Sequence, residues 1–206
     1  MEFTRDQRAF LDHIEERMRG VYHQVSLRTP MDLDAGLATF YLWNLSGQLK
    51  GILIYNWKGN KLGNNVSGGR YQVINPSGPV LFGLEWFNEN LPYTFVCEGV
   101  FDALSLMPYG NAVAVFSNEA GVVKQQLDLL PGKTVAVCDG DKAGSLLSKW
   151  ADYTIHCPKG EDPNSMKKSD LKALLGDFVT ERDFFEDTFR HWWNKQGILM
   201  EENKNA

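Results

Sequence analysis

Two short apolar runs in this chain each end abruptly on an acid and a glycine. They read Tyr93-Thr-Phe-Val-Cys-Glu98-Gly99 and Thr134-Val-Ala-Val-Cys-Asp139-Gly140-Asp141. Apolar runs this short, bounded by turn residues, predict buried strands. The pattern places strands at 94–97, 112–116, 133–138 and 153–156, with helices at 100–107, 119–129 and 143–150. Strands alternating with helices build βαβ units, so this stretch predicts an α/β fold around a parallel sheet. In open parallel sheets, ligands bind outside the carboxyl ends of the strands. Both acid–glycine steps fall at that end.

Further acids join the pattern. Asp102 follows Glu98 by four residues, one helical turn. Gly160-Glu-Asp162-Pro163-Asn164 follows the last strand. Taken singly, each acid has an ordinary explanation. Asp139 or Asp141 can cap a helix or sit in a turn, Asp162 precedes a proline as turn residues do, and Asp102 can lie on a helix face. Together they differ, because carboxylates gathered at strand ends repel one another unless a cation lies among them. Oxygen donors with no histidine or cysteine at ligand spacing suit Mg2+ or Mn2+. Glu98, Asp102, Asp139, Asp141 and Asp162 are therefore the candidate metal ligands.

Upstream, the period changes. Residues 4–24 predict a helix capped by Thr4, with Phe10, Leu11, Ile14 and Met18 on its apolar face. Residues 37–58 read as an antiparallel hairpin turning at Ser46-Gly47, and 59–70 as a polar Gly/Asn-rich loop. A strand resumes at Arg70-Tyr71, Asn75-Pro-Ser-Gly turns, and 81–87 starts a short helix or turn. The tail, 167–200, predicts helix with an apolar stripe of Phe184, Phe185, Phe189, Trp192 and Trp193, a core or docking face. These shifts divide the chain into a small α+β subdomain at 1–90, the parallel-sheet domain at 91–166 and a helical extension at 167–206.

The net charge of −5 excludes a basic surface over the whole molecule but allows a local basic groove. Candidate phosphate contacts are Lys58, Lys61, Arg70 and Lys142. Each lysine alone reads better as a solvated charge, whereas Arg70, beside Gly68-Gly69, stands out. Cys97, Cys138 and Cys157 lie in or at the end of predicted strands without CxxC spacing, which predicts buried core thiols rather than a disulfide framework or zinc ribbon. No signal peptide or membrane-spanning run is visible, so a cytosolic protein with no membrane partner is expected.

The acid motifs carry a resemblance. Glu98-Gly-Val-Phe-Asp102, Asp139-Gly-Asp141-Lys-Ala-Gly144 and Gly160-Glu-Asp162-Pro-Asn164 resemble the motifs of the Toprim domain of topoisomerases, primases and some nucleases. The Asp-x-Asp-x-Ala-Gly form and the later Asp-Pro-Asn step look most like DnaG-type bacterial primases and the primase part of phage primase-helicases. Upstream, Gly69-Arg70-Tyr71, Ile74-Asn75-Pro76-Ser77 and Leu81-Phe82-Gly83-Leu84 resemble the segment preceding Toprim in those primases, with Arg70 where that segment has lysine. The likeness covers roughly residues 45 to 166.

The resemblance implies a Toprim-like, four-stranded parallel sheet flanked by helices. It implies that Glu98 acts as general acid/base or metal-organising carboxylate, that Asp139 and Asp141 hold a divalent metal, and that Asp102 and Asp162 support it or a second one. Asn164 stands where primases often carry aspartate. It keeps an oxygen but loses a charge, and joins the expected nucleotide- or nucleic-acid-binding set. The implied activity is nucleotidyl transfer making short RNA primers on single-stranded DNA. The implied partners are that template, ribonucleotides, and a replicative helicase or separate template-recognition protein. With no zinc-binding module and no Walker A motif in these residues, a phage or mobile-element protein is expected. Two alternatives stay open on sequence: a Toprim-type nuclease using the same acids, and a non-catalytic regulator binding nucleic acid or a replication protein.

Overall fold

The computed structural model describes residues 3–44, 46–60, 68–74, 80–116, 124–125, 127–140 and 144–180. The first helix, α1 (Arg5–Met18), opens on a capping box. Thr4 Oγ1 accepts from the Gln7 N–H at 3.2 Å, and Gln7 Oε1 accepts from the Thr4 N–H at 2.8 Å. Phe10, Ile14 and Met18 recur every four residues and are fully buried. The helix predicted over 4–24 breaks at Arg19, whose φ of 43° ends α1. A 3-10 turn and a short helix, α2 (Tyr22–Val25), follow.

Strands β1 (Met31–Asp32), β2 (Leu37–Trp43), β3 (Leu49–Asn56) and β4 (Tyr71–Ile74) form an antiparallel meander in the order β1-β2-β3-β4. Period-two alternation puts Ala38, Phe40 and Leu42 of β2 on the buried face. The β2–β3 turn closes where expected, with the Gly47 N–H donating to Asn44 O at 3.0 Å and Gly47 at φ 71°.

The second sheet is parallel. Its strands are β5 (Tyr93–Cys97), β6 (Asn111–Ala114), β7 (Lys133–Cys138) and β8 (Tyr153–His156), in the order β6-β5-β7-β8. Helix α3 (Val100–Leu106) joins β5 to β6, and α4 (Lys168–Leu175) follows the sheet. The strand predicted at 112–116 stops two residues early because Phe116, at φ 53°, turns the chain away. The helix predicted at 143–150 is a 3-10 helix at Gly144–Lys149. Of the helix predicted at 119–129, the described Lys124, Gln125 and Leu127 are helical. The tail's aromatic stripe, Phe184 to Trp193, lies outside the described residues.

Strands β5, β6 and β7 are buried on both faces, as their near-continuous apolar runs require, whereas the edge strand β8 is largely exposed. Phe95, Cys97, Val135 and Val137 face a core shared with α1, α3, α4 and the antiparallel sheet. Val96, Ala136 and Cys138 face a second core with Leu127, Leu130 and Leu147. Edge-to-face aromatic contacts knit the shared core: Phe40 packs on Phe82 and Phe101, each at 5.7 Å, and Tyr55 packs on Phe101 at 4.9 Å. A two-residue bridge then couples the sheets. Leu81 exchanges backbone hydrogen bonds with Trp43, and Phe82 does so with Ala114 of β6. Gly83 makes this approach possible, because a Cβ there would lie 2.2 Å from Ala112 O. No helix among the described residues is long and apolar enough to cross a membrane.

Candidate active site at the carboxyl end of the parallel sheet

The chain leaves β5 toward β6 on one side and leaves β7 toward β8 on the other. Neighbouring connections that diverge this way open a crevice at the carboxyl ends of the strands. Glu98 follows β5 and Asp139 follows β7, and these strands are adjacent. The two acids therefore flank the crevice.

Glycines set the local geometry. A Cβ at Gly99 would lie 2.5 Å from Asp102 Oδ2, so the bare backbone lets the Asp102 carboxylate fold back over the end of β5. A Cβ at Gly140 would lie 1.9 Å from Pro158 O. That contact braces the Asp139 turn against the loop after β8: the Gly140 N–H donates to Glu161 O at 2.9 Å, and the Cys157 N–H to Cys138 O at 2.9 Å. The loop then delivers Asp162. Its Oδ1 accepts the Ser165 N–H at 2.6 Å, while its own N–H donates to Ser165 Oγ at 2.8 Å, so the turn is fixed. On the other side, the Val115 and Phe116 N–H groups donate to Cys97 O and Glu98 O at 3.1 and 3.3 Å.

Electrostatics places these acids in one neighbourhood. Burial pushes the Asp102 carboxyl up to about 8, helped by the charges of Asp162 and Asp139 and opposed by the Asn164 N–H and Arg17. Burial also raises the Cys97 thiol, with Asp102, Asp139 and Glu98 adding to it. Cys138 is pushed up to about 11 by burial and then Glu98. Cys157 rises to about 12 through burial and then Asp139, Asp102 and Asp162. All three thiols are free and buried, as expected, and stay protonated, which removes them as nucleophiles.

The donor chemistry fits a hard divalent cation: all oxygen, from carboxylates of which Asp102 is raised by burial first and by its acidic neighbours second. Among the described residues, no group of three or more His, Cys, Asp or Glu side chains is placed to hold a metal ion. Asp141, central to the expected ligands, lies outside the described residues, as do Lys61 and Lys142. Lys58 is exposed and pairs with Asp6 of α1 at 3.8 Å. Arg70 is half-buried, and its Nε donates to Gly59 O at 3.2 Å. Its charge acts on Tyr71, as does that of Asp102.

Asn164, expected in the nucleic-acid-binding set, has a buried side chain whose amide donates to Arg17 O, Phe101 O and Ser105 Oγ. Two basic residues escaped the sequence reading. Arg17 lies over the Phe101 ring at 4.3 Å and opposes the shift at Asp102. The Arg19 guanidinium donates to the carbonyls of Asn164 and Met166. The available signal was a pair of arginines in and just beyond the last turn of an amphipathic helix.

No family model matches the chain. The DNA primase DnaG of Methanothermobacter thermautotrophicus is 33% identical over 99 residues, covering 45% of this chain and 26% of that protein. The DNA primase DnaG of Methanobrevibacter smithii is 35% identical over 99 residues, covering 43% and 23%. The chain thus spans about a quarter of the length of these curated relatives. Among solved structures, the E. coli primase catalytic core superposes with a TM-score of 0.57 at 18% identity, over 92% of this chain and 78% of that one. The chain is thus similar in sequence, over 99 residues, to DnaG primases, and it shares the fold of a solved primase catalytic core.

Proposed function

We propose that the chain is a primase-type catalytic core that joins ribonucleotides into short primers on single-stranded DNA with Mg2+ or Mn2+. The observation that carries this reading is convergence. Asp102, Asp139 and Asp162 come from separate points of the sequence, yet Asp139 and Asp162 both raise Asp102 and all three raise Cys157, while Glu98 joins Asp102 and Asp139 at Cys97. The curated relatives, both named DNA primase, support it. In this reading residues 1–90 form the accessory subdomain, 91–166 the Toprim domain and 167–206 an extension, and the protein works in the cytoplasm.

Glu98, Asp102, Asp139 and Asp162 would hold the cation, with Asp141 beside them in sequence. The cation, when bound, neutralises charge on the phosphates and orients the attacking and leaving oxygens. The chain's own residues do the rest. Asp102, raised to about 8 by burial, holds a proton at neutral pH without metal, which relieves its repulsion with Asp162 and Asp139, and would give it up to serve as a ligand. Glu98 exchanges a proton at the reacting hydroxyl or organises the ligands. Arg70 contacts phosphate, with Lys58, Lys61 and Lys142 as outer contacts. Template selection falls to a helicase or a separate recognition protein.

The test incubates the purified chain with single-stranded DNA, labelled ribonucleotides and Mg2+ or Mn2+, beside Glu98→Gln and Asp141→Asn. Short labelled products that vanish in both variants are the expected result. Shortened DNA would assign the same acids to hydrolysis. No product with or without a replicative helicase would overturn the catalytic reading.

A further inference from the structure

We propose that Asn164 is a positioning residue that latches the turn at 162–166 onto the ends of α1 and α3, and so sets Asp102 and Asp162 for a divalent cation. The proposal deepens the metal reading above and rests on it.

The Asn164 amide nitrogen has two hydrogens and a ring of acceptors. Arg17 O lies at 2.8 Å, Ser105 Oγ at 2.8 Å and Phe101 O at 3.3 Å. The Ser105 hydroxyl donates its own proton to Phe101 O at 2.9 Å, so it meets Asn164 as an acceptor. A carboxylate at this position would face two carbonyls and an engaged hydroxyl with no proton to offer. The position requires a donor, which explains an amide where the sequence resemblance expects an acid.

The backbone of the same residue reaches the acids. The Asn164 N–H donates to Asp102 Oδ1 at 3.2 Å, one of the few contacts that favour the charged form of that buried group. Two residues earlier in the same turn, Asp162 is held by Ser165. A second jaw closes from the other side, where the Arg19 guanidinium donates to both Asn164 O and Met166 O. Arg19 does this from a left-handed backbone at φ 43°, a conformation that costs a non-glycine residue and persists where surroundings hold it. Residues more than 140 positions apart in sequence thus share one latch around the acid-bearing turn. Groups that orient ligands without touching the metal typically govern its affinity.

The experiment measures Mn2+ affinity of the full chain by calorimetry and by the loss of free-ion paramagnetic resonance, alongside melting temperature. Asn164→Asp adds an acid beside the site, yet Mn2+ binding is expected to weaken about tenfold. Ser105→Ala removes one acceptor from the latch and should weaken Mn2+ binding less, with the fold retained. Arg19→Lys, which keeps a donor, should lie between the parent and Arg19→Ala. A folded Asn164→Asp that binds Mn2+ equally well or more tightly overturns the proposal. If that variant does not fold, unchanged affinity in Ser105→Ala and Arg19→Ala overturns it instead. A parent chain that binds no Mn2+ overturns the metal reading itself and this inference with it.

Discussion

The two ends of the parallel sheet treat their acids in opposite ways. At the amino end, Asp152 is surrounded by donors: Lys133 Nζ at 2.8 Å, the Thr134 N–H at 2.9 Å and the Thr134 hydroxyl at 3.1 Å. The Lys133 hydrogen bond leads in pulling its carboxyl down to about 2. At the carboxyl end, Asp102 is buried beside other acids and pushed up to about 8. One acid has partners from the protein and serves the fold. The other has one backbone N–H and the charge of Arg17 against its burial and its acidic neighbours, so ionising it costs stability.

The largest test of this contrast is activity. Asp139→Asn should reduce primer synthesis by at least about a hundredfold, whereas Asp152→Asn should leave it within about twofold. Equal losses would dissolve the distinction between the ends. Next in size is the brace that brings Asp162 to Asp139. Gly140→Ala places a methyl 1.9 Å from Pro158 O and should cost about 3 kcal/mol in urea unfolding. Gly160→Ala, at φ 83° with open space around it, should cost about 1 kcal/mol.

The third test is pH. The Asp102 pKa is raised on folding, from an ordinary 3.8 to about 8. Between those values the folded chain binds more protons than the unfolded one, so stability falls as pH rises from about 4 to about 8. Asp102→Asn removes this contribution, and its stability relative to the parent should climb by about 1 kcal/mol or more across that window, read by urea unfolding without metal. Glu85, also raised to about 8 by burial, gives the same sign in both proteins and drops out of the difference. Mn2+ affinity should rise from pH 6 to about 8 and then level. The smallest effect is Asp152→Asn, which should cost no more than about 1 kcal/mol at neutral pH. Its pKa is depressed, so that contribution is present above about 4 and disappears as pH falls through about 2.

Much of this was legible in the sequence because the strands are short, apolar and sharply punctuated. The strand predicted at 133–138 is found at those residues, and the acid–glycine steps mark the ends of β5 and β7. The α1 stripe of Phe10, Ile14 and Met18 was equally plain. Features that depend on tertiary contact were not legible. Strand β1 has only two residues and exists through its pairing with β2. Helix α1 ends at Arg19, short of the helix predicted to 24, where the backbone takes φ 43° and the guanidinium reaches carbonyls far along the chain. Asn164 looked like a weakened ligand, since nothing local reveals that three acceptors from α1 and α3 converge on its amide.

The bridge at Leu81 and Phe82 bears on how this chain can be cut. Strand β6 lies at the edge of the parallel sheet, and all four of its residues are buried. A short apolar edge with open hydrogen-bonding groups is a template for pairing with a second chain. Phe82 occupies that edge at Ala114, and Gly83 lies flush against Ala112. A fragment starting at residue 91 would keep every acid discussed above and yet expose that edge. Such a fragment would aggregate through β6, whereas one that begins before Leu81 carries its own cover, so solubility follows the bridge rather than the boundary between the two sheets.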